Sequence, residues 1–107
     1  MWLRTQHGFD SIVQKKPGEF HIRGRLKGDM ERLIALCGCD WKLIRTTDAD
    51  YRYRIVCGLE DVQVALAALA KALDYSNFKS RIHSLPDQDP KSEAYSDLWQ
   101  SLYRLQE

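Results

Sequence analysis

Residues 51–73, YRYRIVCGLEDVQVALAALAKAL, decide the fold because the period of the sequence changes at Gly58. Before Gly58, aromatic and aliphatic residues alternate with arginines, as in a strand whose successive side chains point to opposite faces. After it, large aliphatic residues recur at helical spacing: Val62, Leu66, Leu69 and Leu73. Burying these side chains contributes roughly 6–12 kcal/mol, comparable with the whole stability of a small domain. This helix face is therefore predicted to be core.

Upstream, the sequence predicts three more strands and a first helix. Residues 1–14 form an extended segment with a bend or bulge at His7-Gly8. A Pro-Gly turn follows, and residues 19–26 form the second strand. Asp29 is the expected N-cap of a helix that ends at Gly38. Residues 40–47 form the third strand and lead through a turn into the fourth.

This order, ββαββα, predicts an α+β fold with a four-stranded antiparallel or mixed sheet. It matches a circularly permuted ferredoxin-like sandwich in which the second and fourth strands are parallel neighbours at the centre. The first strand then lies beside the second, the third beside the fourth, and both helices cover one face. Another four-stranded antiparallel α+β arrangement is the alternative.

The chain of 107 residues is predicted to be a single domain, with a core over residues 1–73 and a helical extension over 74–107. In the extension, five residues line one face of a C-terminal helix: Tyr95, Leu98, Trp99, Leu102 and Tyr103. A short isolated helix is marginal in water, so this face must dock. Packing within the chain is one possibility, and a homodimer interface built on Tyr95, Trp99 and Tyr103 is the other.

The formal net charge of +1 conceals an asymmetry along the chain. Residues 1–57 hold eleven Lys or Arg against seven Asp or Glu, whereas residues 58–107 hold five against eight. This is a weaker basic bias than nucleic-acid-binding domains usually have. Three cysteines make an odd count that favours a reducing, cytoplasmic setting over a disulfide framework. No stretch is apolar enough to predict a membrane span or a secretory signal.

The most distinctive candidate site is basic. Strand alternation, with the second and fourth strands adjacent, puts His21, Arg23, Arg25, Arg52 and Arg54 on the sheet face opposite the helices. Arginine suits bidentate binding of carboxylate or phosphate, so an anionic ligand or acidic protein partner is favoured here. The alternative is that these arginines pair with carboxylates of the same chain or stack under the aromatic residues of the last helix.

The same alternation places the strand aromatics Phe20, Tyr51 and Tyr53 on the helix side, away from the arginines. Modules that bind RNA on an exposed sheet stack bases on aromatic side chains. A nucleic-acid partner is therefore less favoured than an anionic ligand or protein.

Catalytic and metal-binding patterns are weak. Cys37-Gly-Cys39 with Cys57 does not have zinc-ligand spacing, and Cys37 and Cys57 fall on predicted core faces. Asp48 and Asp50 are explained by turn chemistry. No glycine-rich phosphate loop or nucleophile motif occurs. The sequence thus predicts no metal and no cofactor, and it favours a non-catalytic protein.

Several separated blocks resemble a set of small uncharacterised bacterial proteins: the opening MW-L-T-GF-S-VQ, then DYRYR, DYSNFK and AYSDLWQSLYRLQ. The resemblance covers nearly the whole chain. It implies no activity and transfers no catalytic or binding residues.

Together these observations predict a small soluble binding or assembly module that uses the arginine-rich sheet face and the aromatic C-terminal helix, as a homodimer. The first alternative is a small enzyme that acts on an anionic substrate with His21 and the arginines. A nucleic-acid-binding module is the third possibility.

Overall fold

The computed structural model describes residues 1–106 and folds them into an α+β structure with one antiparallel sheet. The strands are β1 (Trp2–Thr5), β2 (Gly8–Lys16), β3 (Glu19–Gly24), β4 (Ile44–Arg45) and β5 (Tyr53–Cys57). The helices are α1 (Lys27–Cys37), α2 (Leu59–Lys71), α3 (Phe78–Ser84) and α4 (Ser92–Tyr103), with a 3₁₀ turn at Asp89–Lys91. The chain divides into two compact units, Met1–Asp74 and the segment from Tyr75 onward.

The sheet has five strands in the order β1-β2-β3-β5-β4, so the predicted count of four is wrong. The N-terminal segment was predicted to be one extended strand with a bend or bulge. It instead folds back on itself as the β1–β2 hairpin, with Thr5 opposite Gly8. Gly8 has φ +150°, a value that L side chains rarely adopt, so glycine permits this tight reversal.

The two central strands, β3 and β5, are antiparallel neighbours, which corrects the predicted parallel pairing. After α1 the chain reaches the sheet edge at β4, and the β4–β5 hairpin then reverses direction to place β5 next to β3. The third strand, predicted over residues 40–47, is reduced to Ile44–Arg45. Trp41 turns inward instead, packs against the core and donates from Nε1 to Asp61 Oδ1 at 3.1 Å.

Both helices cover one face of the sheet, as predicted. A cross-strand row of isoleucines on β2, β3 and β5 packs against buried residues of α1 and α2. The buried cluster is Ile12, Ile22, Met30, Leu33, Ile55, Val62 and Ala65. Leu66 and Leu69 pack against this cluster, but Leu73 is 61% exposed because α2 ends at Lys71. Cys37 and Cys57 border the core, as their helix and strand positions predicted.

The start of α1 differs from the prediction and its end does not. Leu26, not Asp29, is the N-cap residue, and Asp29 lies buried in the first turn. Its Oδ2 accepts from the Phe9 backbone N–H at 3.1 Å, and its Oδ1 accepts from Arg32 Nη2 at 2.6 Å. The carboxylate therefore joins the helix to β2. The helix ends at Gly38, whose φ of +65° is the left-handed conformation of a C-terminal cap.

The C-terminal unit begins with α3, which is capped by Asn77 through a 2.9 Å bond from Ser80 N–H to Asn77 Oδ1. The 3₁₀ turn at Asp89–Lys91 runs directly into α4. Within residues 1–106 no helix has the length and apolarity needed to cross a bilayer.

Candidate functional site

The sheet face opposite α1 and α2 carries a continuous cross-strand row. Strand register pairs Trp2 with Ser11, Ser11 with Arg23, Arg23 with Arg54, and Arg54 with Ile44. Residues directly opposite each other in an antiparallel sheet share a face. The strand register therefore places Arg23 and Arg54 on one face, as their alternation predicted, and the surface around them is called the arginine face below.

Arg23 is held over the sheet by a hydrogen bond and a ring contact. Its Nη2 donates to Ser11 Oγ at 2.8 Å, and its Cζ lies 4.4 Å from the centroid of the Tyr51 ring. Its Nε is buried and has no hydrogen-bond partner. Two contacts thus fix the guanidinium while one of its donors stays unsatisfied.

Arg54 lies directly opposite Arg23 and is fixed in a similar way. Its Nη1 is 3.3 Å from His21 Nδ1, and its Nη2 donates to the Tyr51 carbonyl at 3.3 Å. Its Nε, like that of Arg23, is buried and unpartnered. Since an arginine only donates, His21 Nδ1 is assigned as the acceptor, and its Nε2–H points toward Glu19 Oε2 at 3.4 Å.

The central arginines lack the acidic partners that the structural alternative requires. No carboxylate of the described chain forms an ion pair with Arg23 or Arg54. Like charges directly opposite in a sheet are destabilising, and each unsatisfied buried donor costs about 1–3 kcal/mol. An oxyanion that contacts both guanidiniums would reduce the repulsion between them, whereas each buried Nε is shielded from such a ligand.

Arg25 and Arg52 flank this pair beyond the strand ends and are exposed. The Cζ of Arg25 lies 4.4 Å from the Tyr51 ring centroid, as that of Arg23 does. The predicted placement of Tyr51 on the helix side is wrong, because residue 51 precedes β5 and escapes strand alternation. Its buried ring instead lies against two arginines.

Two aromatic residues on the arginine face were missed from the sequence. Trp2 is 60% exposed and meets Phe9 edge to face, with ring centroids 5.4 Å apart. Phe9 has the same parity along β2 as Ser11, which was a readable signal. The position of Trp2 depends on the β1–β2 hairpin, which the sequence pattern did not predict. Phe20 and Tyr53 pack on the helix side as expected.

A buried polar cluster beside the β1–β2 turn was also missed. Arg32 Nε donates to the His7 carbonyl at 2.8 Å and so extends the Asp29–Arg32 pair to the turn. A Cβ added at Gly8 would lie 2.6 Å from Asp29 Cβ. This packing leaves no space for a ligand, and we assign the cluster to fold stability.

The C-terminal unit brings a serine, a histidine and an aspartate together without forming a catalytic triad. His83 Nδ1 lies 2.7 Å from Asp89 Oδ1 and 3.3 Å from Ser92 Oγ. In a triad the acid and the nucleophile use different ring nitrogens, whereas here both contact the same one. Ser92 Oγ also donates to the Asp89 carbonyl at 2.7 Å, which is helix-start chemistry.

The thiols of Cys37 and Cys57 have low reactivity. Burial, with a smaller contribution from Asp61, raises the pKa of Cys57 to about 11, and burial also raises the pKa of Cys37. A thiol in that state is a poor nucleophile and a poor metal ligand at neutral pH. Among residues 1–106 no group of three or more His, Cys, Asp or Glu side chains is arranged to hold a metal ion.

The aromatic face of α4 is only partly buried. Tyr95 is buried and its ring lies 5.6 Å from that of Phe78. Trp99 is 54% exposed and stacks on Tyr103 at 4.9 Å, and Leu102 is exposed beside them. Of the predicted stripe, Tyr95 is therefore buried and Leu98 half-buried, whereas its C-terminal half is not covered.

Comparison of the chain with protein-family models, curated proteins and solved structures finds no match.

Proposed function

We propose that this protein is a non-catalytic cytosolic binding module that captures an anionic partner on its arginine face. The observation that supports this most directly is the Arg23–Arg54 pair. The two residues lie directly opposite each other on adjacent strands, and no carboxylate of the described chain forms an ion pair with either guanidinium. A ligand that carries negatively charged oxygens on this face reduces the repulsion between them.

The arginines are also held ready for binding. Ser11 and the Tyr51 ring position Arg23, while His21 and the Tyr51 carbonyl position Arg54. Fixed guanidiniums lose less side-chain entropy when they bind, so more of the contact energy appears as affinity.

The fold supports a surface function as well. We propose that β2-β3-β5-β4 with α1 and α2 is a circularly permuted ferredoxin-like sandwich whose central strands are antiparallel rather than parallel, with β1 added at one edge. In this arrangement the helices bury one sheet face and the arginines occupy the other.

A binding experiment with matched arginine variants tests the proposal. Wild-type protein is passed at low ionic strength over immobilised polyphosphate, polyglutamate and an oligonucleotide. We expect retention on at least one polyanion, with elution by moderate salt. Arg23→Ala and Arg54→Ala should each weaken retention, whereas Arg45→Ala should not, because Arg45 pairs with Tyr53 on the helix side.

Circular dichroism of each variant separates loss of binding from loss of fold, and Arg23→Gln serves as a less disruptive second change. Absence of retention on every polyanion, or equal retention of wild type and folded Arg23 and Arg54 variants, contradicts the proposal.

The enzyme alternative has less support. Both ring nitrogens of His21 already have partners, Arg54 on one side and Glu19 on the other. Its side chain is only 12% exposed. A histidine in this position orients Arg54 better than it transfers protons to a substrate.

We further propose that the protein self-associates as a homodimer through α4. The exposed stripe of Trp99, Leu102 and Tyr103 contains residue types that dominate binding interfaces. A two-fold contact between two such stripes buries apolar surface on both copies at once.

A further inference from the structure

We infer that the anionic partner of the arginine face is a single-stranded nucleic acid, with phosphates on Arg23 and Arg54 and a base stacked on Trp2. This inference rests on the proposed function and specifies its ligand class. It depends on aromatic side chains that share the face with the arginines.

Trp2 supplies a stacking surface of the kind that bases need. Its indole is 60% exposed, and Phe9 contacts it with ring centroids 5.4 Å apart and ring planes inclined at 68°, so the two rings do not stack on each other. Phe9 restricts the orientation of the indole, so less freedom is lost on stacking. Proteins that bind single strands combine such aromatic platforms with basic grooves.

The strand register places this ring and the phosphate-binding groups in one row. Trp2, Ser11, Arg23 and Arg54 follow one another on adjacent strands. Strands are spaced about 4.8 Å apart, so the backbone of Trp2 is about 10 Å from that of Arg23. A strand whose base stacks on Trp2 therefore crosses the sheet over both guanidiniums.

The chemistry favours a single strand over the other polyanions. In a duplex the bases are stacked on each other and are not available to an exposed indole. An acidic peptide satisfies the arginines but brings no planar base to Trp2. The phosphates of a single strand and its bases match both the arginines and the exposed indole of the row. The sequence argument against nucleic acid rested on aromatics facing the helices, and Trp2 and Phe9 do not face them.

Fluorescence anisotropy of the full chain tests this inference. The probes are labelled oligo-dT and oligo-U of about 15 nucleotides, a hairpin duplex of the same charge, and polyglutamate as competitor. We expect both single strands to bind more tightly than the duplex and to resist competition by polyglutamate.

Variants at the two ends of the row give the sharper readout. Trp2→Ala should weaken single-strand binding by about five- to a hundredfold, and Trp2→Phe should restore most of the affinity because it keeps a ring. Leu59→Ala removes an exposed apolar side chain of α2, on the other side of the sheet, and should leave the affinity unchanged. Arg23→Ala should lower the slope of log affinity against log salt by about 0.7, while Arg45→Ala should leave it unchanged.

The outcomes separate the nucleic-acid inference from the proposed anion-binding function. Equal binding of duplex and single strand, full competition by polyglutamate, or an unchanged affinity in folded Trp2→Ala overturns the nucleic-acid inference and leaves the anion-binding function standing. If no probe binds at low salt, both the inference and the proposed function are wrong.

Discussion

Gly8 and Asp29 together hold the N-terminal hairpin against the first helix. Gly8 has positive φ and lies so close to Asp29 that a Cβ there would approach the Asp29 Cβ to 2.6 Å. The carboxylate in turn holds the Phe9 N–H and the Arg32 guanidinium. One small residue thereby lets a buried charged group join two elements that are distant in sequence, and it also sets the position of Trp2.

We predict that Gly8→Ala destabilises the fold by about 1–3 kcal/mol more than Gly18→Ala. Both glycines have positive φ, so both variants carry backbone strain. A Cβ at Gly18 meets nothing within 4 Å, whereas one at Gly8 collides with Asp29. Urea unfolding of the two variants measures the difference, and equal midpoints would show that the close approach carries no energetic weight.

The raised pKa of Cys57 predicts that the protein loses stability at alkaline pH. Burial and, to a lesser extent, Asp61 raise its pKa from 9.0 to about 11 in the folded protein. Between these values the unfolded chain has lost a thiol proton that the folded chain keeps, so the free energy of unfolding falls as pH rises from 9 toward 11. Unfolding titrations of wild type and Cys57→Ala should show a smaller fall in the variant.

Asp61→Asn tests whether the Asp61 carboxylate contributes to the raised pKa of Cys57. Removal of this carboxylate should lower the pKa of Cys57 and speed its alkylation at a fixed pH, because the thiolate is the reactive form. Glu60→Gln, in the same helix turn but without an effect on the pKa of Cys57, should leave the alkylation rate unchanged. Identical rates in all three proteins would count against the assigned cause.

At the scale of elements, length and exposure separate the strands and helices that build the core from those that present surface. β3 and β5 are central and carry both the buried isoleucines and the opposed arginines on their two faces. The edge strand β4 is only two residues long, which limits pairing with another chain. The C-terminal half of α4 instead leaves an apolar stripe uncovered.

We predict that Leu102→Glu weakens self-association by at least about tenfold, because it places a charge in the stripe formed with Trp99 and Tyr103. Ser101→Glu adds the same charge to the opposite side of the helix and should have no effect. Sedimentation velocity over a range of concentrations checks both variants. A wild-type protein that stays monomeric at every concentration would contradict the homodimer.

At the scale of the whole molecule, the two compact units carry different features. The unit Met1–Asp74 holds the complete buried cluster and the arginine face. The unit from Tyr75 onward has its own buried residues, Ile82, Gln88 and Tyr95, and the exposed aromatic stripe. The units also differ in charge, since residues 1–74 hold twelve Lys or Arg against ten Asp or Glu, and residues 75–107 hold four against five.

We predict that residues 1–74 fold without the C-terminal unit and retain anion binding. The whole buried cluster between the sheet and α1 and α2, and both central arginines, lie within this range. A domain of this size is marginal, so the fragment should melt cooperatively at a lower temperature than the full chain. Circular dichroism and the polyanion retention assay test it, and a fragment without a cooperative transition would refute the independence of the first unit.

The sequence by itself determined the class of each main element and the faces of the central strands. The change of period at Gly58 and the alternation along 19–26 and 51–57 are local properties, so they predicted the helix after Gly58 and the shared face of Arg23 and Arg54. A glycine stop at Gly38 was predictable for the same reason.

Only the tertiary structure decided the direction of the central pairing, the β1–β2 hairpin and the neighbours of the arginines. These features depend on contacts between residues far apart in the chain. The seating of Gly8 on Asp29 and the stacking of Arg23 and Arg25 on Tyr51 are examples. Periodicity fixes which way a side chain points along its own strand, but the strand beside it and the charge opposite it are set by how the whole chain packs.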